Sequence, residues 1–110
     1  LGDCDAYINV AGGMRINEPA LDMGIVLAVL SSYKNIAIDS KTICFGEVGL
    51  VGEVRAVNQA EQRVIEAAKL GFDRCIMPKV NCDSLNIDRE QLKGMKLVGV
   101  KSIYELLEVI

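Results

Sequence analysis

Thr42-Ile43-Cys44-Phe45-Gly46-Glu47-Val48-Gly49-Leu50-Val51-Gly52-Glu53-Val54-Arg55-Ala56-Val57 is the stretch that decides the fold. Two β-rich runs, Thr42–Phe45 and Val51–Val57, stand on either side of Gly46-Glu47-Val48-Gly49, with Gly52 punctuating the second. β-Branched and aromatic residues flanking a glycine-rich connection read as a β-hairpin. Hairpin strands are antiparallel, so this stretch predicts an α/β (α+β) fold with a mixed sheet, and argues against an all-parallel doubly wound one.

Downstream, Asn58 followed by Glu61 has the form of a capping box. The helix it opens carries Ala60, Val64, Ala67 and Ala68 inward and stops at Gly71, a natural residue to follow a helix ending near Lys69. Arg74–Met77 reads as a short strand, residues 79–94 as a polar surface excursion, and Lys96–Val100 as another strand. Ser102 and Glu105 form a second capping box before a last helix with Ile103, Leu106, Leu107 and Ile110 on one face. Upstream, Asp5–Val10 reads as a strand broken at Gly12-Gly13, and Met14–Ile16 as a resumption of extended structure. Asn17-Glu18-Pro19 then announces a helix running to about Ser32. Leu21, Ile25, Ala28 and Val29 recur there at helical spacing, and Leu27 and Leu30 widen the stripe, so the helix is expected to be largely buried. The order is β-α-β-β-α-β-β-α, with about three helices.

The 110 residues fit a single domain, 1–110. Hydrophobic residues make up 51%. Counted with the ten Gly and without the three Tyr, the apolar share is about 57%, above the usual ~45–50%, which favours an additional buried surface such as a subunit contact. Cys4, Cys44, Cys75 and Cys82 are widely spaced and there is no His, which argues against a zinc site here and for reduced, mostly buried thiols in a cytoplasmic protein. The longest apolar run, Met23–Leu30, is too short to span a bilayer, so no membrane partner is expected. The chain opens on Leu1 without a signal peptide, which we read as a fragment or a processed product. A net charge of −3 argues against tight autonomous binding to DNA.

Without His, every His-dependent catalytic device is excluded, and the cysteines lack their usual base. Gly46, Gly49 and Gly52 fit neither dinucleotide nor P-loop spacing and precede a strand, so they read as turn and bulge glycines. Gly12-Gly13 lies too far ahead of its helix to offer that helix's first amides to an anion. Glu18, Asp22, Glu47 and Glu53 are available as an acid–base pair but read first as caps and solvated charges. Arg15, Arg55, Arg63 and Lys79 are the candidate DNA contacts, each also a natural salt-bridge partner.

Asn9-Val10-Ala11-Gly12-Gly13-Met14-Arg15-Ile16-Asn17-Glu18-Pro19-Ala20, the hairpin stretch Phe45–Val57, and Glu66-Ala67-Ala68-Lys69-Leu70-Gly71-Phe72 carry a family resemblance. Together they resemble the C-terminal domain of the bacterial RadA/Sms DNA-repair family, itself similar to the proteolytic domain of Lon. The resemblance implies a zinc motif and an ATPase using ATP and magnesium ahead of this domain. It also implies a homo-oligomeric hexameric ring and work on branched recombination intermediates. Lon-type peptidases carry a nucleophilic Ser early in the first long helix and a Lys in the helix after the hairpin. The Ser position falls on Ala20 and the Lys position near Glu61, so the resemblance implies a domain without catalytic residues, cofactor or metal of its own. The expected function is a ring-assembly scaffold that aids DNA engagement. The alternatives are a platform for recombination factors and an active Ser–Lys peptidase.

Overall fold

Cys75, Ile76 and Met77 are each wholly buried, and because successive strand side chains point to opposite faces, the strand that holds them needs a core on both sides. The computed structural model describes residues 22–34 and 41–109. In it, β1 (Thr42–Cys44), β4 (Arg74–Pro78) and β5 (Lys96–Val100) form a three-stranded parallel sheet ordered β1-β4-β5. β2 (Glu47–Val48) and β3 (Val54–Arg55) form a separate antiparallel pair. Five helices accompany them among the described residues: α1 (Asp22–Lys34), α2 (Ala60–Lys69), α3 (Lys79–Asp83), α4 (Arg89–Leu92) and α5 (Ile103–Val109).

The two cores follow the strand alternation. Ile43, Cys75 and Met77 face α2, joined by Ala60, Val64, Ala67, Ala68 and Met95. Cys44, Ile76 and Val100 face the other way, onto Met23 and Leu27 of α1 and Leu106 of α5. The crossovers from β1 to β4 and from β4 to β5 step the same way across the sheet. Crossovers of one hand that step the same way fall on one face, and α2 and α4 accordingly share theirs, packed on each other. Small residues on the inner face of α2 let it lie close to the strands, each large buried side chain contributing roughly 1.5–3 kcal/mol.

The expected α+β class holds, with its parallel and antiparallel parts divided between two sheets. Thr42–Cys44 does not belong to the hairpin. The Phe45 N–H still donates to the Ile76 carbonyl at 3.0 Å, but the Gly46 carbonyl accepts the Met23 N–H at 2.9 Å, which ends the parallel ladder. The hairpin begins only beyond that point, at Glu47, and pairs Val48 with Val54. Residues 79–94 are not a plain surface excursion either: they form α3 and α4, and Cys82, Leu85, Ile87 and Leu92 pack on the α2 side of the core. Sparse apolar residues at irregular spacing hid this, because two very short helices leave no periodic pattern.

The first expected strand, Gly12-Gly13 and the start of the first helix lie outside the described residues. Within α1, which runs to Lys34, the buried face is Met23, Leu27, Ala28 and Ser31, whereas Ile25 and Val29 are exposed. An almost uniformly apolar helix does not announce which side turns inward. The capping box expected at Asn58 and Glu61 is absent: α2 begins after Gln59, whose φ of 60° is left-handed, and no side chain caps it. At the other end Gly71 has a φ of +92°, as a residue following a helix requires. In α5 the Ser102 hydroxyl accepts the Glu105 N–H at 3.3 Å, while the Glu105 carboxylate reaches one residue further back, to the Lys101 N–H at 3.0 Å.

Candidate functional site

In open sheets with parallel strands, ligands gather where the strands end. Here β1 ends at Cys44, β4 at Pro78 and β5 at Val100; α3 and α5 start at the same edge, and Met23 of α1 is bonded to Gly46 there. The hairpin lies over it. The Val54 N–H donates to the Lys101 carbonyl at 2.8 Å, and the Ile103 N–H donates to the Gly52 carbonyl at 3.0 Å. Val48 and Val54 turn toward α1 and α5, leaving Glu47 and Arg55 as the outward pair.

Three of the four candidate DNA contacts sit on elements that reach this carboxyl edge, Arg55 on the hairpin, Arg63 in the first turn of α2 and Lys79 at the start of α3; Arg15 lies outside the described residues. Arg55 donates through Nε and Nη2 to the Glu53 carboxylate at 3.2 and 2.8 Å. Glu53 also accepts the Val51 N–H at 3.2 Å, so it ties the hairpin turn to Arg55. The Arg55 hydrogen bonds hold the Glu53 carboxyl below the usual carboxylate range, and the same contact raises Arg55. Arg63, on α2, donates Nε to the Asn58 carbonyl at 2.9 Å and stands over the Phe45 ring, 5.9 Å from its centre. Lys79, at the start of α3, pairs with Asp83 at 3.3 Å across one helical turn. Two residues on, Asn81 holds both backbone groups of Val57. Each of these cations is held by at least one intramolecular contact and stays at least partly accessible. Exposed ion pairs contribute little to stability, ~0–1 kcal/mol, so a phosphate can compete for them.

The carboxylates do not assemble into an acid–base pair among the described residues. Asp22 accepts the Val48 N–H at 3.3 Å, Glu53 serves the hairpin, and Glu47 sits across from Arg55; Glu18 lies outside. Glu61 is exposed on the first turn of α2, where its Oε2 accepts the Asn86 N–H at 2.8 Å and anchors the segment between α3 and α4. Ala20 lies outside the described residues. Cys44 and Cys75 are buried and Cys82 is partly so. Burial pushes the Cys75 thiol far above its ordinary range, which keeps it protonated, and raises Cys82 as well. Among the described residues no group of three or more His, Cys, Asp or Glu could hold a metal ion, and no helix is long and apolar enough to cross a membrane.

Sequence reasoning missed Asn81 and Lys101. Lys101 had a readable signal, being the first residue past an apolar strand and so bound for the carboxyl edge. Asn81 had none, since its partner Val57 is 24 residues away. At the opposite edge Lys41, Arg74 and Lys96 stand at the beginnings of three adjacent strands. α1, α2 and α5 end there, and Arg74 donates Nη1 to the Val109 carbonyl at 3.0 Å. Of these cations, Arg74 answers the negative end of α5.

Comparison with known proteins adds two findings. DNA repair protein RadA of Halalkalibacterium halodurans is 45% identical over 96% of this chain, and that of Bacillus subtilis 46% over 94%. DNA repair protein RadA of Streptococcus pneumoniae is 40% identical over 94% of the chain. The chain spans only 22–24% of the length of these relatives. The profile of a family described as subunit ChlI of Mg-chelatase matches residues 3–81. That match covers well over half of the 110 residues, from the start of the chain through α2 and β4 into α3, and the chain belongs to this ChlI family.

Proposed function

We propose that this chain is the Lon-like, non-catalytic unit of a RadA-type DNA-repair ATPase, where it scaffolds ring assembly and helps hold DNA beside the motor. ATP, magnesium and zinc belong, on this reading, to other parts of such a protein. The observation that carries the DNA-repair part is the 45–46% identity, over nearly the whole chain, to proteins named for DNA repair. The absence of catalysis rests on Ala20 standing where a Lon-type nucleophile would be and Glu61 near the position of its lysine, with Glu61 engaged to the Asn86 amide. Support for assembly comes from exposed apolar side chains. Tyr33 on α1 is 84% exposed, Leu50 and Val51 at the hairpin tip 103% and 81%, and Tyr104 on α5 68%. All four belong to the layer formed by α1, the hairpin and α5, and ring closure needs two complementary patches per subunit. DNA would meet the carboxyl edge through Arg55, Arg63 and Lys79.

Sedimentation velocity over a hundredfold concentration range tests the scaffold. The chain is expected to associate as concentration rises, and Leu50→Glu with Tyr33→Glu to abolish association; a chain that stays monomeric throughout removes assembly and leaves the platform for recombination factors in front. Peptide cleavage by the purified chain above background would overturn the non-catalytic reading, and Ala20→Ser alone is expected to give none.

A further inference from the structure

Asn81 makes two hydrogen bonds across 24 residues of chain: its Oδ1 accepts the Val57 N–H at 2.8 Å, and its Nδ2 donates to the Val57 carbonyl at 3.1 Å. A side-chain amide thereby reproduces the double exchange that an antiparallel neighbour would make with one residue. Only a short side chain with an acceptor and a donor on the same carbon can do this. Aspartate would accept without donating, and serine would make one bond of the two.

Val57 is the centre of the segment that joins the hairpin to α2. Arg55 precedes it by two residues, and Asn58, which follows it, supplies the carbonyl that Arg63 Nε holds at 2.9 Å. The clasp thus fixes the backbone between the two arginines. It fixes it to a seated element, because α3 lies so close to β5 that a β-carbon on Gly99 would stand 3.0 Å from the Lys79 Cα. We propose that Asn81 is a positioning residue for the basic rim, setting Arg55 and Arg63 at one fixed spacing against the phosphates of a nucleic-acid backbone. Without the clasp, residues 56–58 keep only the packing of the Val57 side chain on the core between the hairpin and α2, and the two guanidinium groups lose the hydrogen-bonded frame they share. The inference rests on the DNA-engagement reading above.

The test separates the two. Binding of a short duplex to the 110-residue chain is followed by fluorescence anisotropy between about 20 and 200 mM salt, the low end chosen because non-specific binding is weak, roughly 10⁻⁴–10⁻⁶ M at physiological salt. Each phosphate contact contributes about 0.9 to the slope of log affinity against log salt. Arg55→Gln/Arg63→Gln together should flatten the slope by about 1.8. Asn81→Ala should flatten it by about 0.9 while the circular dichroism of the fold is retained, and the Val57 amide should exchange faster. Asn81→Ser, which keeps one bond, should fall between, and serves alone where the alanine variant does not fold. A merely structural asparagine would lower the unfolding temperature without moving the slope. A wild-type slope in folded Asn81 variants, with the arginine pair still sensitive, overturns the inference and leaves the DNA reading standing. No salt-dependent binding by the wild-type chain, or none lost with the arginine pair, overturns both.

Discussion

An alanine at Gly99 would place its β-carbon 3.0 Å from the Cα of Lys79, 3.2 Å from the Cβ of Cys82 and 3.3 Å from the Cβ of Lys79. Carbon atoms in comfortable contact are about 3.5–4.0 Å apart, so α3 must retreat from β5 by roughly 0.5–1 Å. The nearest atom is backbone, and no rotamer change relieves it. Overpacking of this kind costs about 1–3 kcal/mol, offset by about 0.4–1 kcal/mol because alanine stiffens the unfolded chain. The net expectation is a loss of about 1–2 kcal/mol. With an unfolding entropy of about 2.1 cal/mol/K per residue over this chain, that lowers the midpoint by roughly 4–9 °C. Thermal melts and urea titrations of the wild type, Gly99→Ala and Gly99→Val read it directly, and valine should be worse than alanine. Gly71→Ala is the control: nothing lies within 4 Å of a β-carbon there, while φ is +92°, so its cost of about 1–2 kcal/mol is a backbone effect. A Gly99→Ala protein as stable as the wild type, or a valine variant no worse than alanine, would refute the seating of α3 on β5.

Two further expectations concern titration. Burial raises the Cys75 thiol, so folding favours its protonated form; the stability this gives is complete below the unfolded thiol pKa, about 8.5, and declines as pH rises above it. Urea midpoints measured from pH 7 to 10 should therefore fall faster for the wild type than for Cys75→Ala, by up to about 1.4 kcal/mol per pH unit, and parallel curves would contradict the buried thiol. Glu53 is the opposite case: its folded pKa lies below the ordinary carboxylate value, so the support it gives the hairpin is present above that value and lost as pH falls through the folded pKa. Its carboxyl carbon should titrate below the unperturbed range in the wild type and move back toward it in Arg55→Gln, and identical midpoints would show that Arg55 is not the cause.

Much of this architecture was legible because it is local. Ala60, Val64, Ala67 and Ala68 announce the inner face of α2 by their spacing, Gly71 marks its end, and Lys96–Val100 is a strand by composition. The glycines announce a hairpin but not its turn, expected at Gly46–Gly49: Glu47–Val48 is a strand, and the turn lies three residues later, where the Gly52 N–H closes on the Gly49 carbonyl at 3.1 Å. The lack of His excludes whole classes of chemistry on composition alone. The basic residues could be named for the same reason, since charge is a property of the residue.

What the sequence left open depends on partners far along the chain. Thr42–Cys44 has the composition of a hairpin strand, yet Arg74–Ile76 offered it a buried parallel ladder, and burial on two faces outweighs the proximity of the hairpin. Glu61 has the spacing of a cap, but the Asn86 amide took its carboxylate. On α1 the apolar residues cover most of the surface, so only contact with Cys44, Ile76 and Leu106 selects Met23 and Leu27 as the inner side. The candidate site follows the same division. That Arg55, Arg63 and Lys79 are cationic was written in the chain. That the elements carrying them reach one edge was decided by the order of the parallel strands and by Asn81 reaching Val57, because neither spacing nor composition records which distant backbone groups a side chain will find.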